Sequence, residues 1–220
     1  MVPVTTDQFF GVFVAYNTET SAALAGLIAV ALVAAFGAMK GGAVGRRVAM
    51  GSLAILWLWT GIVFHLVFFA KVNPAAYAFG VLFVVQAALF GREAVRAAPH
   101  VEPARNRAGL AGVVLVVYAL LIYPAIGALT GHSYPAAPMF GAPCPVTIFT
   151  FGVLLLMESE IRVRLLVVPL IWGLAGATAV WVYGVVADAA LPVAALFGLA
   201  LILWRNRRLR ESAPLMPMAA

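Results

Sequence analysis

The chain is built from apolar runs that are about as long as a membrane is thick. Runs bounded by charge, glycine or proline fall at 20–39, 47–70, 74–91, 108–127, 145–160, 163–183 and 188–204. A transmembrane α-helix needs about 20 mainly apolar residues. The strands of a membrane barrel would alternate apolar and polar residues over about 10 positions, and these runs do not alternate. The sequence therefore predicts an all-α, polytopic transmembrane helical bundle of about seven spans.

The composition agrees with a protein that lies in a lipid bilayer. Hydrophobic residues make up 65% of the chain and charged residues 10%, whereas soluble domains carry about 25% charged residues. The pI near 10.0 is typical of nucleic-acid-binding proteins, but basic residues beside span ends are explained by membrane orientation. We therefore predict the bilayer as a partner and no nucleic acid.

The lysines and arginines predict how the bundle is oriented. If the N-terminus is outside, thirteen of the fourteen fall in cytoplasmic segments and only Lys71 lies outside. Cytoplasmic loops of membrane proteins carry this excess of basic residues. We therefore predict an N-out, C-in bundle.

The residues before the first span follow another pattern. In TTDQFFGVFVAYN, Phe9, Phe10, Phe13 and Tyr16 recur at helical spacing among polar residues. Such a pattern is typical of a helix lying in the membrane interface, although a frayed extension of the first span is an alternative. The predicted parts are an interfacial amphipathic segment at 1–19, one transmembrane helical domain at 20–204 and a basic cytoplasmic tail at 205–220.

One connection, GHSYPAAPMFGAPCPVTIFTFG at 131–152, is polar and rich in proline. In the predicted orientation it lies outside, together with the turn KVNP at 71–74 and the link that ends in Asp188. Irregular backbone near lipid is tolerated only where protein buries it or water solvates it. We therefore expect the connection to form a fixed cap over the outer mouth of the bundle.

Several helices are predicted to begin at this outer mouth. Asn73 and Cys144 each precede a proline, as a helix-capping residue often does, and Asp188 is placed to cap the last span. Helix N-termini carry partial positive charge, so the region favours an anion or a thiolate. A thiol at such a position is reactive when solvent reaches it. The alternative is that Cys144 is a small buried apolar residue.

The candidate ligand- or ion-binding residues are the polar side chains expected near the outer mouth. They are His65, Asn73, His132, Tyr134, Cys144 and Asp188. A histidine at the position of His65 can bind a metal or a haem, relay a proton or donate a hydrogen bond to a neighbouring carbonyl. His132 either reaches over the same mouth or lies in a solvated loop. With Met139 these residues include donors that suit copper or zinc. No metal-ligand spacing is present, so we assign neither a metal nor a cofactor, and no catalytic residue.

Three further residues lead to predictions about packing. Gln86, deep in the third span, is expected to hydrogen-bond to another helix. Glu158 lies four residues before Arg162, a spacing typical of an ion pair on one helix. Gly61 lies on the same helical face as His65 and is expected to let another helix come close.

Longer stretches resemble a known family. WLWTGIVFHLVFF, NPAAYAFGVLFVVQAALF and YPAIGALTGHSYPAAPMFGAPCPVTIFTFG are similar to the bacterial membrane proteins grouped as domain of unknown function 6064. The resemblance covers most of the chain and implies a multi-pass protein of the bacterial cytoplasmic (inner) membrane, without an activity. It is carried by Trp57, Trp59, His65, Asn73, Pro74, Gln86, Gly131, His132, Pro135, Pro143, Cys144 and Pro145. The family pattern expects a Trp-Pro pair shortly after Tyr16 and Asn17, where this chain has Thr18, Glu19 and Thr20.

Three functions follow from these features, in this order of preference. A small transporter-like protein would handle a solute or ion at the outer mouth, through a polar cavity that runs inward past Gln86. A structural or accessory membrane subunit would have no catalytic site, and its histidines and Cys144 would lie apart. A membrane redox protein would bind a metal or haem. A role without catalysis is favoured, and a solute, a metal ion, a protein partner and a second copy of the chain stay open as partners.

Overall fold

The predicted all-α class is confirmed over the residues that the structure, a computed structural model, describes: 4–96 and 101–212. The helices are α1 (Thr6–Glu19), α2 (Ser21–Lys40), α3 (Gly42–Trp59), α4 (Ala75–Val95), α5 (Arg107–Val117), α6 (Tyr123–Leu129), α7 (Pro143–Leu155), α8 (Val167–Ala175), α9 (Thr178–Tyr183) and α10 (Ala190–Glu211). Helix α3 continues as a π-helix (Thr60–Phe68) and a 3-10 turn (Phe69–Lys71), and α5 continues as a π-helix (Tyr118–Ile122). Further 3-10 turns are Val163–Leu165 and Val186–Ala189, and two short strands, β1 (Glu102–Pro103) and β2 (Met157–Glu158), pair antiparallel.

Most of the predicted spans correspond to long apolar helices. Within the described ranges, six helical segments are long and apolar enough to cross a membrane. They are Ser21–Lys40, Gly42–Lys71, Ala75–Val95, Arg107–Leu129, Val163–Tyr183 and Val186–Glu211. These apolar helices indicate a lipid environment. The exact number of crossings and the orientation stay predictions.

The run predicted at 145–160 forms a shorter helix. Helix α7 has 13 residues and all of them are buried, whereas a full crossing needs about 20 residues. A helix that is apolar on every face is stable when other helices surround it. Helix α7 packs against α5, α8 and α10, so it forms the centre of the bundle.

The N-terminal segment is helical, and the aromatic face of this helix lies against protein. The Thr5 hydroxyl accepts from Gln8 N–H while the Gln8 side chain accepts from Thr5 N–H, so α1 begins with a capping box. Phe9, Phe13 and Tyr16 are buried in a cluster with side chains of α9, of the connection before α7 and of residues 60–71, which continue α3 and which we call the α3 extension. Its position at the membrane interface stays a prediction. Residues 1–3 lie outside the described residues.

Basic side chains gather at one end of the bundle, which we call the basic end. There the Glu93 carboxylate accepts from Arg46 Nη2 at 2.9 Å and from Arg164 Nη2 at 2.7 Å. Helix α10 reaches this end with Arg205 and Asn206, and both are buried. The predicted tail at 205–220 therefore begins as helix, its residues 213–220 lie outside the described residues, and the division into three parts stays a prediction.

The ion pair predicted between Glu158 and Arg162 is wrong. Glu158 lies in β2, so the two residues do not share a helical face. Its carboxylate instead accepts from Arg208 and from Asn106 Nδ2, while Arg162 Nη1 lies 3.5 Å from the Glu93 carboxylate.

Gln86 and Gly61 behave as predicted. The buried Gln86 Nε2 donates to Leu165 O at 3.0 Å and so joins α4 to the turn before α8. A Cβ at Gly61 would lie 3.0 Å from Phe83 Cβ and 3.1 Å from Gly80 O. Only a residue without a side chain lets α4 approach the α3 extension this closely.

The polar connection 131–142 lies at the opposite end, which we call the aromatic end, and is fastened to α1. Asn17 Nδ2 donates to Pro135 O at 2.6 Å and to Ala137 O at 2.7 Å, and Tyr134 Oη donates to Asn17 O at 3.2 Å. Asn17 is buried, so water does not replace these bonds. The connection is therefore held in place, as expected of a cap.

Replacement of Asn17 by alanine should loosen this cap. The Asn17→Ala variant leaves two carbonyl oxygens without their donor, which costs about 1–3 kcal/mol of stability. We expect faster amide hydrogen exchange across 131–142 and a lower unfolding temperature in detergent. Thr18→Ala, at an exposed position of the same helix, is the matched control, and unchanged exchange in Asn17→Ala would contradict the assigned role.

Candidate functional site

The aromatic end contains a cavity of about 370 Å³. Seven aromatic side chains line it: Phe9, Phe13, Phe64, Phe69, Phe79, Trp172 and Tyr183. Asn73, Cys144 and Thr178 supply further polar groups. Within the described part of the chain, the lining includes no Asp, Glu, Lys, Arg or His. The cavity is therefore uncharged and mainly apolar.

The cavity wall is assembled from segments far apart in sequence. Phe9 of α1 stacks on Tyr183 of α9, with ring centroids 3.9 Å apart, and packs edge-on against Phe69 of the α3 extension. The π-helix in that extension widens the turn that carries Phe64, and π-helical turns often occur at functional sites. The three segments together hold the aromatic rings around the empty volume.

His65 lies behind this wall and not on its surface. The side chain has no exposed surface, and aromatic rings surround it. They are Phe64, Phe69, Phe79, Phe83 and Trp172. Neither ring nitrogen has a hydrogen-bond partner in the described part of the protein, so the expected bond to a neighbouring carbonyl is not found. His65 packs against the rings that line the cavity.

Cys144 reaches the cavity, but the predicted capping role is wrong. Helix α7 begins at Pro143 with Ala142 as the capping residue, so Cys144 lies inside the first turn. Its thiol is buried and interacts with Asp188, Tyr123 and Trp172. Burial beside a carboxyl group removes the solvent access and positive surroundings that make a thiol reactive.

The capping role predicted for Asp188 is also wrong. The residue belongs to the 3-10 turn before α10, and the α10 N-terminus has no side-chain cap. Its buried carboxyl oxygen Oδ1 instead accepts from Tyr123 Oη at 2.5 Å. A carboxyl group inside an apolar bundle requires such a donor. Tyr123 was not predicted, because nothing in its apolar run distinguishes it from a packing residue.

The remaining predicted site residues are divided between this cavity and the surface. Asn73 lines the cavity, and its Oδ1 accepts from Ala75 N–H at 3.0 Å near the start of α4. His132 stacks on Phe10 with ring centroids 4.1 Å apart, outside the cavity lining. Tyr134 is 50% exposed and holds the cap.

The structure therefore brings only part of the predicted site together. Asn73 and Cys144 line one cavity and Asp188 lies beside Cys144, while His132 and Tyr134 belong to the cap. Across residues 4–96 and 101–212, no group of three or more His, Cys, Asp or Glu side chains could hold a metal ion. A metal site built from three such ligands is therefore not found in these ranges.

Comparison with known proteins gives one match. A sequence model described as "Family of unknown function (DUF6064)" matches residues 6–213, which confirms the resemblance noted in the sequence. No curated protein and no solved structure matches the chain.

The Tyr123–Asp188 hydrogen bond should contribute to the stability of the bundle. Tyr123→Phe leaves a buried carboxyl oxygen without its donor and should lower the free energy of unfolding by about 1–3 kcal/mol. Addition of Asp188→Asn should recover part of this loss, because a neutral amide is less costly to bury than a carboxylate. Thermal unfolding in detergent measures the stability of Tyr123→Phe and of the double variant. Tyr77→Phe, at a 59% exposed position, is the control. Equal stability of Tyr123→Phe and the control would contradict the assignment.

Proposed function

The chain belongs to the DUF6064 family, whose function is unknown, and we propose that it is a membrane protein that binds a small, neutral, mainly apolar molecule. The observation that carries this proposal is the cavity of about 370 Å³ at the aromatic end, lined by seven aromatic side chains. Small-molecule sites are typically concave, about 300–1,000 Å³ in volume, and mainly apolar with a few polar groups. The cavity has each of these properties.

The lining favours a neutral ligand. A charged molecule would lose its hydration on entry and meet no opposite charge on the cavity wall, which is costly in an apolar interior. An apolar or aromatic molecule would instead gain contact with the Phe and Trp rings. The ligand class that fits is therefore an uncharged molecule with a planar or compact apolar body.

Binding is supported better than passage through the bundle. The transporter-like hypothesis expects a polar cavity that continues inward past Gln86. Gln86 is buried, bonded to Leu165 O and absent from the cavity lining. The accessory-subunit hypothesis is the second candidate, favoured by the separation of His132, which packs on Phe10, from Cys144. It differs from the proposal in expecting no ligand.

We further propose that the aromatic end faces away from the cytoplasm, in a seven-span, N-out bundle of the bacterial inner membrane. The ion pairs of the basic end support this proposal, because they bring Arg46, Arg164 and Arg208 to one end of the bundle. Basic residues prefer the cytoplasmic side of a membrane. The cavity would then open toward the outer face.

Cysteine labelling tests this orientation. In a Cys144→Ser background, Ser133→Cys at the cap should react with a membrane-impermeant maleimide in intact cells, because its position is exposed and would lie outside. Ser212→Cys, exposed at the basic end, should react only after lysis. The reverse pattern would rule out the N-out orientation and leave ligand binding to be tested separately.

Filling the cavity tests the binding function. Ala175 lines the cavity, whereas its neighbour Leu174 is 46% exposed on the outside of the bundle. Ala175→Phe should reduce the affinity for 2-isopropenylnaphthalene at least tenfold because its ring occupies the binding volume, and Leu174→Phe should leave the affinity unchanged. Equilibrium dialysis of detergent-purified protein measures this affinity, as the saturable binding that remains after the uptake of the compound by protein-free micelles is subtracted.

Equal binding by the wild-type protein, Ala175→Phe and Leu174→Phe would contradict the proposal. Partitioning into micelles is common to all three samples, so a difference between the two variants reports on the cavity alone. Circular dichroism and gel filtration of both variants establish that the bundle is intact.

A further inference from the structure

We infer that the side-chain amide of Asn73 is the hydrogen-bond donor of the aromatic cavity, and that the ligand carries an oxygen that accepts from it. The inference rests on the proposed ligand-binding function and names the ligand class more closely, as an uncharged aryl compound with an accepting oxygen, such as an aryl ketone. It follows from the partners of the side-chain donors that line the cavity.

Asn73 has one polar group without a partner. Its backbone N–H donates to Phe69 O at 3.0 Å, and its backbone carbonyl accepts from Ala76 N–H at 3.0 Å. Its side-chain oxygen Oδ1 accepts from Ala75 N–H at 3.0 Å. This bond identifies the other amide atom as Nδ2, because only the oxygen of an amide accepts. Nδ2 makes no hydrogen bond within the described part of the protein.

This amide is open to a ligand. Asn73 lines the cavity and is partly exposed, and its Nδ2 is not one of the enclosed side-chain atoms. A molecule in the cavity therefore meets an amide that is accessible and not yet bonded to protein. The bond from Ala75 N–H holds the side chain in place, and a donor that is already fixed lowers the entropy cost of binding.

The two hydroxyl groups of the lining already donate to backbone carbonyls. Thr178 Oγ1 donates to Ala175 O at 2.7 Å, and Tyr183 Oη donates to Val4 O at 3.4 Å. A hydroxyl group has a single hydrogen to donate. Neither group therefore has a hydrogen left for a ligand.

The two remaining side-chain donors of the lining are engaged within the protein. The thiol of Cys144 hydrogen-bonds to the Asp188 carboxyl group, and the indole N–H of Trp172 lies against the Cys144 sulfur. The Trp172 Nε1 atom is also enclosed, so a ligand does not reach it. Within the described lining, the Asn73 amide is therefore the side-chain donor that is both accessible and free.

The free amide favours a ligand with an accepting oxygen. An apolar molecule that fills the cavity beside Asn73 would remove water from Nδ2 and leave it unpaired, which is unfavourable. A ligand oxygen would replace that water. A site that hydrogen-bonds its ligand discriminates against analogues that leave its polar group unpaired. The aromatic rings would then hold the body of the ligand, while Asn73 would recognise its oxygen.

Two ligands of the same shape test the inference. 2-Acetylnaphthalene and 2-isopropenylnaphthalene differ in a carbonyl oxygen replaced by a methylene group, so only the first accepts a hydrogen bond. The ratio of their affinities is compared between proteins, because the differences in hydration and micelle uptake then cancel. Asn73→Asp keeps the oxygen that accepts from Ala75 N–H and replaces Nδ2 by an acceptor. We expect this variant to lower the preference for the ketone about fivefold, the size of one net hydrogen bond.

Gln8→Glu is the matched control. Gln8 is exposed near the start of α1, its Oε1 accepts from Thr5 N–H at 3.0 Å, and it does not line the cavity. The substitution makes the same change from amide to carboxylate and keeps the capping acceptor, so the ratio should stay at the wild-type value. Asn73→Ala removes the amide without adding a charge and should also lower the ratio. It decides the matter if Asn73→Asp fails to fold.

Each result separates the two proposals. If Asn73→Asp and Asn73→Ala keep the wild-type ratio, or if Gln8→Glu lowers it equally, the inference is overturned while ligand binding stands. If neither ligand shows saturable binding relative to Ala175→Phe, the proposed function falls, and the inference with it.

Discussion

The rest of the bundle depends on the complete burial of helix α7. All of its 13 residues are enclosed, so the helices around it take the contacts with the surroundings. Its C-terminal end is held within the protein, since Arg205 Nη1 donates to Leu154 O of the last turn at 3.0 Å and to Met157 O, just beyond the helix, at 2.6 Å. Its first turn brings Cys144 to the cavity. One short helix thus links the basic end to the aromatic end.

The two ends divide the polar chemistry of the protein between them. At the basic end, Glu93 is paired with arginines from α3 and from the turn before α8, and such pairs hold buried charges by mutual neutralisation. At the aromatic end, the buried polar groups form a smaller set, in which Tyr123 Oη donates to the Asp188 carboxyl group beside Cys144.

Sequence patterns predicted the helices well and the site only in part. The positions of the runs, the partner of Gln86 and the close approach at Gly61 follow from hydropathy and residue size, which act locally. The correct partners of Glu158 and Asp188 depend on which helices meet. No feature of the residues around Tyr123 indicates that its hydroxyl pairs with a carboxyl group. Cys144 precedes a proline, yet Pro143 begins the helix first, so the expected cap moved to Ala142.

The stacking of Phe9 on Tyr183 affects the order in which the protein is made. The first of these rings leaves the ribosome long before the second, and chains fold largely as they are synthesised. The N-terminal helix therefore emerges without the surface that it will finally cover. The aromatic cavity is completed only after the segment Val163–Tyr183 has been made, so a chain truncated before that point would lack part of the cavity wall.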